Sequence, residues 1–201
     1  MMLTDVSLSP MSSAGPLTSD DYFALPAEPA CELIHGRLYV SPAPHGRHQV
    51  VLGHLADRAR AFARRSGGIA LFAPVDVVLA EHTVVQPDLL YLSPERRNRF
   101  AGQVTGAPDW VVEVLSPATV RRDRGDKLQR YARHGVREYW IVDPIARQIE
   151  FLVRQVDHFV VHTARDDHYV SPAIEGLTLD VAALWSDVDR DLPPTLATHD
   201  R

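Results

Sequence analysis

The chain of 201 residues has one cysteine, one lysine and one asparagine, and it contains no long apolar run. The single cysteine, Cys31, excludes an intramolecular disulfide and a cysteine-based zinc cluster. No stretch reaches the roughly 18 apolar residues that span a bilayer, and no basic-then-apolar signal peptide is visible. Asn98 lacks the Ser or Thr of a glycosylation site two positions later. These absences predict a cytoplasmic protein that does not associate with membranes.

The overall composition is that of a soluble globular protein. Apolar residues make up 45% of the chain and charged residues 23%, which excludes disorder over most of the length. The length predicts one domain, which we place at 18–190. A flexible leader at 1–17, rich in Ser and Pro, is expected to precede it, and a tail at 191–201 to follow it.

The basic residues are unusual both in type and in position. Twenty of the 21 are arginine, and Lys127 is the only lysine. GC-rich codon usage would account for the arginines but not for the position of the one lysine. The net charge is −5, yet residues 91–137 carry nine arginines and Lys127 against five acids. Such a basic island favours a polyanionic partner, although arginine clusters are also common on ordinary solvated surfaces.

Hydrophobic periodicity predicts an α/β (α+β) fold with one mixed central β-sheet flanked by helices. Val51, Leu55, Ala59 and Phe62 have helical spacing and predict a helix over about 46–65. A second helix is expected over about 123–134, with Gly135 at its end. After residue 166 only one or two strands and an acidic C-terminus are expected. Strand-like runs predict a hairpin at 31–40, further strands at 69–73, 75–80, 84–92, 110–115 and 138–143, and an antiparallel hairpin over 148–163.

Two carboxylates stand in or beside apolar strand-like runs. Glu113 lies within such a run, where a buried carboxylate is costly unless it is paired or bound to a metal. Strand alternation places Glu113 on the same face as Val111 and Leu115. One interpretation pairs it with a buried arginine. The other places it beside Asp88, which opens the run 89–92, so that two neighbouring strands hold one Mg²⁺ between their carboxylates.

Lys127, Glu32 and His48 complete the set of candidate catalytic residues. Lys127 follows Asp123 by four positions, so a local helix salt bridge is one interpretation. The other is an active-site ammonium, because lysine is a compact point charge in a chain that uses arginine elsewhere. Glu32, beside Cys31 at the start of the first hairpin, is placed to approach such a site. His48 shares the apolar stripe of the first long helix, as either a satisfied core residue or a catalytic one.

The ordered motifs of this chain resemble the Uma2 family, formerly a domain of unknown function, which is classed with restriction endonucleases of the PD-(D/E)xK superfamily. The resemblance runs from about 20 to 185. It implies a restriction-endonuclease-like core and a divalent-metal site. The motifs that carry it are Glu32-Leu-Ile-His-Gly-Arg-Leu, Ser41-Pro-Ala-Pro, His48, Gln86-Pro-Asp, Pro108-Asp-Trp-Val-Val-Glu-Val-Leu-Ser-Pro, Asp123, Lys127, Tyr131 and Gly135-Val-Arg-Glu-Tyr-Trp-Ile-Val-Asp-Pro.

The resemblance carries individual roles to this chain. Asp88 matches the acid of the Pro-Asp motif, Glu113 the acid of the Glu-x-Lys motif, and Glu32 the acid on the preceding element. The chain departs from the superfamily at Leu115, where the strand lysine is expected. Lys127, on the following helix, fits the role of the strand lysine that is absent at position 115.

The function expected from these residues is phosphodiester hydrolysis of DNA with Mg²⁺ or Mn²⁺. Asp88 and Glu113 would hold the metal, and Lys127 would act on the attacking water and the phosphate. Folds of this type often dimerise to cut two strands, so a homodimer is a further expectation. Two alternatives stay open, a catalytically inactive nucleic-acid-binding or assembly module and a hydrolase for another phosphate-bearing substrate. The residues expected to contact backbone phosphates are Arg121, Arg122, Arg124 and Arg130.

Overall fold

The computed structural model describes residues 15–40, 43 and 45–192, which form helices and short strands in alternation. The α-helices are α1 (Ser19–Phe23), α2 (Gly46–Ser66), α3 (Val120–Arg122), α4 (Leu128–His134) and α5 (Val181–Asp191), with a 3₁₀-helix at Pro94–Arg99 and a π-helix at Asp123–Lys127. The strands are β1 (Cys31–Ile34), β2 (Arg37–Val40), β3 (Ile69–Phe72), β4 (Val77–Ala80), β5 (Thr83–Val85), β6 (Leu89–Leu92), β7 (Phe100–Ala101), β8 (Gln103–Thr105), β9 (Trp110–Val114), β10 (Glu138–Asp143), β11 (Gln148–Gln155), β12 (His158–His162), β13 (His168–Val170) and β14 (Thr178–Asp180).

Most of the strands belong to two six-stranded sheets. The core sheet has the order β12-β11-β10-β9-β6-β3, and a second sheet has the order β2-β1-β5-β4-β8-β7. In the core sheet β9 and β10 are parallel, and the other neighbours are antiparallel. The α/β class, the mixed sheet and its flanking helices are therefore confirmed. The sequence pattern predicted one sheet, and the second was not anticipated because its strands of two to four residues carry little information about their partners.

The two faces of the core sheet pack against different elements. Alternate residues of β9 separate into two buried clusters, because successive side chains of a strand point to opposite faces. Val112 packs in a cluster with residues of α2 and α5, whereas Val111 packs with residues of the second sheet and of α4. The predicted stripe on α2 is buried throughout, including Leu55 and Phe62. Each such side chain stabilises the fold by about 1.5–3 kcal/mol.

Helices α3 and α4 and the π-helix between them form one continuous helical segment over 120–134, three residues longer than expected at its start. Gly135 ends it with a φ of +93°, the left-handed conformation that a side chain disfavours. The π turn winds more loosely than an α turn. Asp123, Lys127 and Tyr131, four residues apart, are all buried on the face toward the sheets.

The C-terminal part of the described chain contains a helix that the sequence analysis missed. Helix α5 begins after Asp180, whose side chain accepts a hydrogen bond from the backbone N–H of Ala183 at 2.8 Å. Leu184, Trp185 and Val188 bury its apolar side against α2 and the core sheet. Most of the expected leader and tail lies outside the described residues. Across the described part of the chain, no helix combines the length and apolarity needed to cross a membrane.

Candidate active site

Asp88 and Glu113 lie side by side because β6 and β9 pair antiparallel. Leu89 stands opposite Val112 in this ladder, so one further step of the same register sets Asp88 opposite Glu113. Directly opposed residues of an antiparallel pair share one face of the sheet. The backbone N–H of Val114 donates to Oδ2 of Asp88 at 2.7 Å, which fixes this carboxylate at the end of β9.

Lys127 projects from the π turn into a group of three carboxylates. Its Nζ lies 2.7 Å from Oε1 of Glu113, 2.8 Å from Oε1 of Glu32 and 3.5 Å from Oδ1 of Asp123. The Lys127 side chain is only 3% exposed, and the three carboxylates are as deeply buried. These acids come from three different elements, β1, β9 and the π turn, so the ammonium links the second sheet, the core sheet and the helical segment.

Burial and an excess of negative charge perturb the pKa values of this group. Burial raises the pKa of Glu113 well above its usual range. Lys127 lowers this pKa, but the neighbouring acids Asp123, Asp88 and Glu32 raise it and so offset part of the effect of Lys127. Burial also raises the pKa of Asp123. For Lys127 burial alone would lower the pKa, but the attraction of Glu113, Glu32 and Asp123 raises it above the usual value. Lys127 is therefore a protonated hydrogen-bond donor at neutral pH.

Two further groups hold the carboxylates in place, and the sequence analysis gave neither of them this role. The Tyr131 hydroxyl donates to Oε1 of Glu113 at 2.8 Å. The backbone N–H of Gln86 donates to Oε1 of Glu32 at 2.7 Å. The spacing of Asp123, Lys127 and Tyr131 at four-residue intervals was a usable signal for the tyrosine. The hydrogen bond to Glu32 comes from a backbone N–H just beyond β5, and a backbone donor leaves no signal in a sequence.

His48 contacts the same oxygen of Asp88 that accepts the hydrogen bond from Val114. The imidazole Nε2 lies 3.1 Å from Oδ2 of Asp88, and the ring is buried in the first turn of α2, as its place on the apolar stripe predicted. Its Nδ1 is buried and has no hydrogen-bond partner among the described residues. Asp88 itself is 19% exposed, the most accessible of the candidate acids whose contacts are described above.

All five candidate catalytic residues line one depression of about 360 Å³, which we call the cleft. Its apolar lining includes Leu52 of α2 and Ala73 and Pro74 of the loop after β3. Of the four arginines expected to contact phosphates, only one lines this cleft. The cleft residues that matter for the chemistry are Glu32, His48, Asp88, Glu113, Lys127 and Arg122.

The family model described as "Putative restriction endonuclease", Uma2, matches residues 19–182. The chain belongs to the Uma2 family. Its fold is similar to a crystal structure described as that of "a putative nuclease belonging to DUF820" from Anabaena variabilis, with a TM-score of 0.73 and 24% sequence identity. The alignment covers 86% of this chain and 99% of that chain, which shows the shared restriction-endonuclease-like fold. No curated protein matches the chain.

In this Uma2 chain the four candidate phosphate-binding arginines have different surroundings. Arg122 turns inward, with Nε 3.4 Å from Oε2 of Glu32. Arg124 pairs with Glu150 at 2.5 Å, which neutralises much of its charge. The remaining two stand away from the carboxylates, Arg130 against the His35 ring and Arg121 exposed to solvent.

The donor set of the Uma2 chain fits a small hard cation. Asp88 and Glu113 share the cleft, and the four acids of the site exceed its two cations, Lys127 and Arg122, in number. Mg²⁺ commonly takes only one or two protein carboxylates and keeps water ligands. Among the described residues no three His, Cys, Asp or Glu side chains converge as a metal-binding group. The site therefore fits a two-carboxylate Mg²⁺ or Mn²⁺ site and not a closed cage.

Proposed function

We propose that this chain is a Mg²⁺- or Mn²⁺-dependent nuclease of the PD-(D/E)xK type that hydrolyses phosphodiester bonds of DNA. Membership of the Uma2 family and the nuclease-like structural neighbour support a nuclease in general. The observation that carries the finer proposal is the convergence of Asp88, Glu113 and Lys127 on one cleft. Two carboxylates and one ammonium are the groups that metal-assisted phosphoryl transfer requires.

Each residue has a definite part in this proposal. Asp88 and Glu113 would hold the metal, which when bound would polarise the phosphate and lower the pKa of a water molecule. Lys127 donates hydrogen bonds to the attacking water and to the phosphate oxygen on which negative charge develops. Glu32 holds the Lys127 ammonium and would serve as an additional ligand, and His48 orients Asp88 through its Nε2.

The four arginines extend the proposal to the nucleic acid. Arg122 is half-buried beside the reacting groups and would face the phosphate nearest to them. Arg121, Arg124 and Arg130 would contact flanking phosphates, which gives affinity that depends on salt and little on sequence.

The test is cleavage of supercoiled plasmid by the full chain with Mg²⁺, with Mn²⁺ or with EDTA. Glu113→Gln removes the charge of a buried strand glutamate and should abolish cleavage. Glu138→Gln is the matched control, because Glu138 is equally buried on the adjacent strand but does not line the cleft. We expect the control to cleave at temperatures where it remains folded. A folded Glu113→Gln variant with wild-type activity would exclude the proposed site.

One observation favours the competing function, a catalytically inactive nucleic-acid-binding or assembly module. Lys127 contacts both Glu113 and Glu32 and already neutralises part of their negative charge without a metal ion. The same experiment separates the two functions. The inactive module predicts DNA binding in a gel-shift assay without cleavage in either metal, and no effect of Glu113→Gln on binding.

Two expectations of the sequence analysis stay predictions. A homodimer is expected if one site per chain cuts both strands of a duplex, and light scattering of the full chain checks this. The cytoplasmic location is checked by cell fractionation.

A further inference from the structure

The two oxygens of Glu113 have different environments. Oε1 accepts hydrogen bonds from Lys127 Nζ at 2.7 Å and from the Tyr131 hydroxyl at 2.8 Å. Oε2 has no hydrogen-bond partner among the described residues. Because Glu113 lines the cleft, the oxygen without a partner is the one available to a ligand there.

Lys127 alone does not fix the orientation of the Glu113 carboxylate. Its ammonium is shared with Glu32 at 2.8 Å and with Asp123 at 3.5 Å, so its direction is set by three carboxylates. A lysine that also contacts the phosphate must change these bonds during the reaction. Tyr131 has no such second task, since its hydroxyl donates to Glu113 only among the described residues.

The surroundings of Tyr131 suit a permanent donor. The side chain is fully buried, and burial raises the pKa of the phenol well above its usual range, so the proton stays on the hydroxyl. The ring packs edge-on against Tyr139 with centroids 5.0 Å apart. Tyr139 in turn donates to the backbone carbonyl of Asp123 at 3.1 Å, within the π turn that carries Lys127. The position of the Tyr131 hydroxyl is therefore fixed by packing.

We propose that Tyr131 is a positioning residue whose hydroxyl fixes Oε1 of Glu113 on the helix side and leaves Oε2 facing the cleft as the metal-binding oxygen. This inference rests on the proposed metal-dependent function. In this inference the neutral hydroxyl of Tyr131 orients the metal-binding carboxylate of Glu113, and Lys127 interacts with the substrate. Groups that orient metal ligands typically change metal affinity or activity by about 10–100-fold when removed.

The test compares Tyr131→Phe with Tyr169→Phe in the full chain. Tyr169 donates to the buried carboxylate of Glu138 at 2.9 Å, so the control removes the same kind of bond outside the cleft. Both variants keep the ring and are expected to lower the melting temperature by a similar few degrees. Tyr131→Phe alone should weaken Mn²⁺ binding at least about tenfold in calorimetry and lower kcat for DNA with KM unchanged.

The possible results separate this inference from the proposed function. Wild-type Mn²⁺ affinity in a folded Tyr131→Phe variant, or an equal loss in Tyr169→Phe, overturns the role of Tyr131 and leaves the nuclease intact. If the wild-type protein binds Mn²⁺ but cleaves no nucleic acid, the affinity comparison still decides for or against Tyr131. A wild-type protein that neither binds Mn²⁺ nor cleaves overturns both. If Tyr131→Phe does not fold, fluorotyrosine NMR of the wild-type protein replaces it, and the inference requires a Mg²⁺-dependent shift at Tyr131 and not at Tyr169.

Discussion

Replacement of Lys127 by methionine isolates the electrostatic role of this side chain. Methionine keeps most of the apolar stem but removes the ammonium that contacts Glu113 at 2.7 Å and Glu32 at 2.8 Å. Removing one partner of a buried ion pair typically costs about 3–5 kcal/mol, because the remaining charge stays buried without compensation. The free energy of unfolding of a small protein is about 5–15 kcal/mol. Lys127→Met should therefore remove a large part of the stability in metal-free buffer.

The loss of stability should depend on pH in a definite direction. Glu113 and Asp123 have pKa values above those of an unfolded chain, and loss of Lys127 raises the pKa of Glu113 further. A carboxyl whose pKa is higher in the folded state does not lower the free energy of unfolding at pH values below its unfolded pKa of about 4.3. Above its folded-state pKa it lowers the free energy of unfolding by the full amount. The deficit of Lys127→Met should therefore be largest at pH 8 and shrink toward pH 5.

Urea unfolding followed by tryptophan fluorescence, in EDTA at pH 5, 6.5 and 8, measures this deficit. Arg121→Met is the matched control, because Arg121 is an exposed cation on the same helical segment. Its free energy of unfolding should change by less than about 0.5 kcal/mol at every pH. A Lys127→Met deficit below about 1 kcal/mol at pH 8, or one that grows toward acid, would refute the electrostatic reasoning.

Three further predictions concern other parts of the molecule. Gly135→Ala should cost about 1–2 kcal/mol in thermal unfolding, because its φ of +93° is strained for any residue with a Cβ. Glu138→Gln should cost about 2 kcal/mol in urea unfolding, because its carboxylate accepts bonds from three donors and an amide nitrogen would face one of them. In DNA binding measured by anisotropy, Arg121→Ala should reduce the slope of log affinity against log salt by about one. Arg124→Ala should reduce it less, since Glu150 already neutralises that charge.

The parts of the fold that could be predicted are those in which one element carries its own pattern. The stripe of α2 and the apolar run of β9 each contain enough residues to define a period, and both elements are present. Helix α5 had a readable signal in Leu184, Trp185 and Val188 and in its Asp180 cap, but its acidic residues made the segment resemble a tail. The second sheet was beyond prediction, because pairing of very short strands is decided by tertiary contacts.

The same distinction applies to the candidate site. Asp88 and Glu113 could be assigned to neighbouring strands, because alternation and spacing set their faces. The contact between Lys127 and Glu32 could not, since Glu32 belongs to a strand of the other sheet. The four-residue spacing of Asp123, Lys127 and Tyr131 placed the tyrosine on the face of Lys127, but its hydrogen bond to Glu113 depends on how the helical segment packs on β9, which no sequence pattern records.

The geometry around Lys127 explains why one lysine stands in a chain that otherwise uses arginine. Three carboxylates approach the Nζ atom from three different elements, at 2.7, 2.8 and 3.5 Å. An ammonium is a compact point charge that can donate in several directions, whereas a guanidinium is a flat fork that matches one carboxylate at a time. A guanidinium at this position would also need more space than the side chain of a fully enclosed lysine occupies. Codon usage can exchange lysine for arginine on a surface, but it cannot do so where three buried acids converge on a single atom.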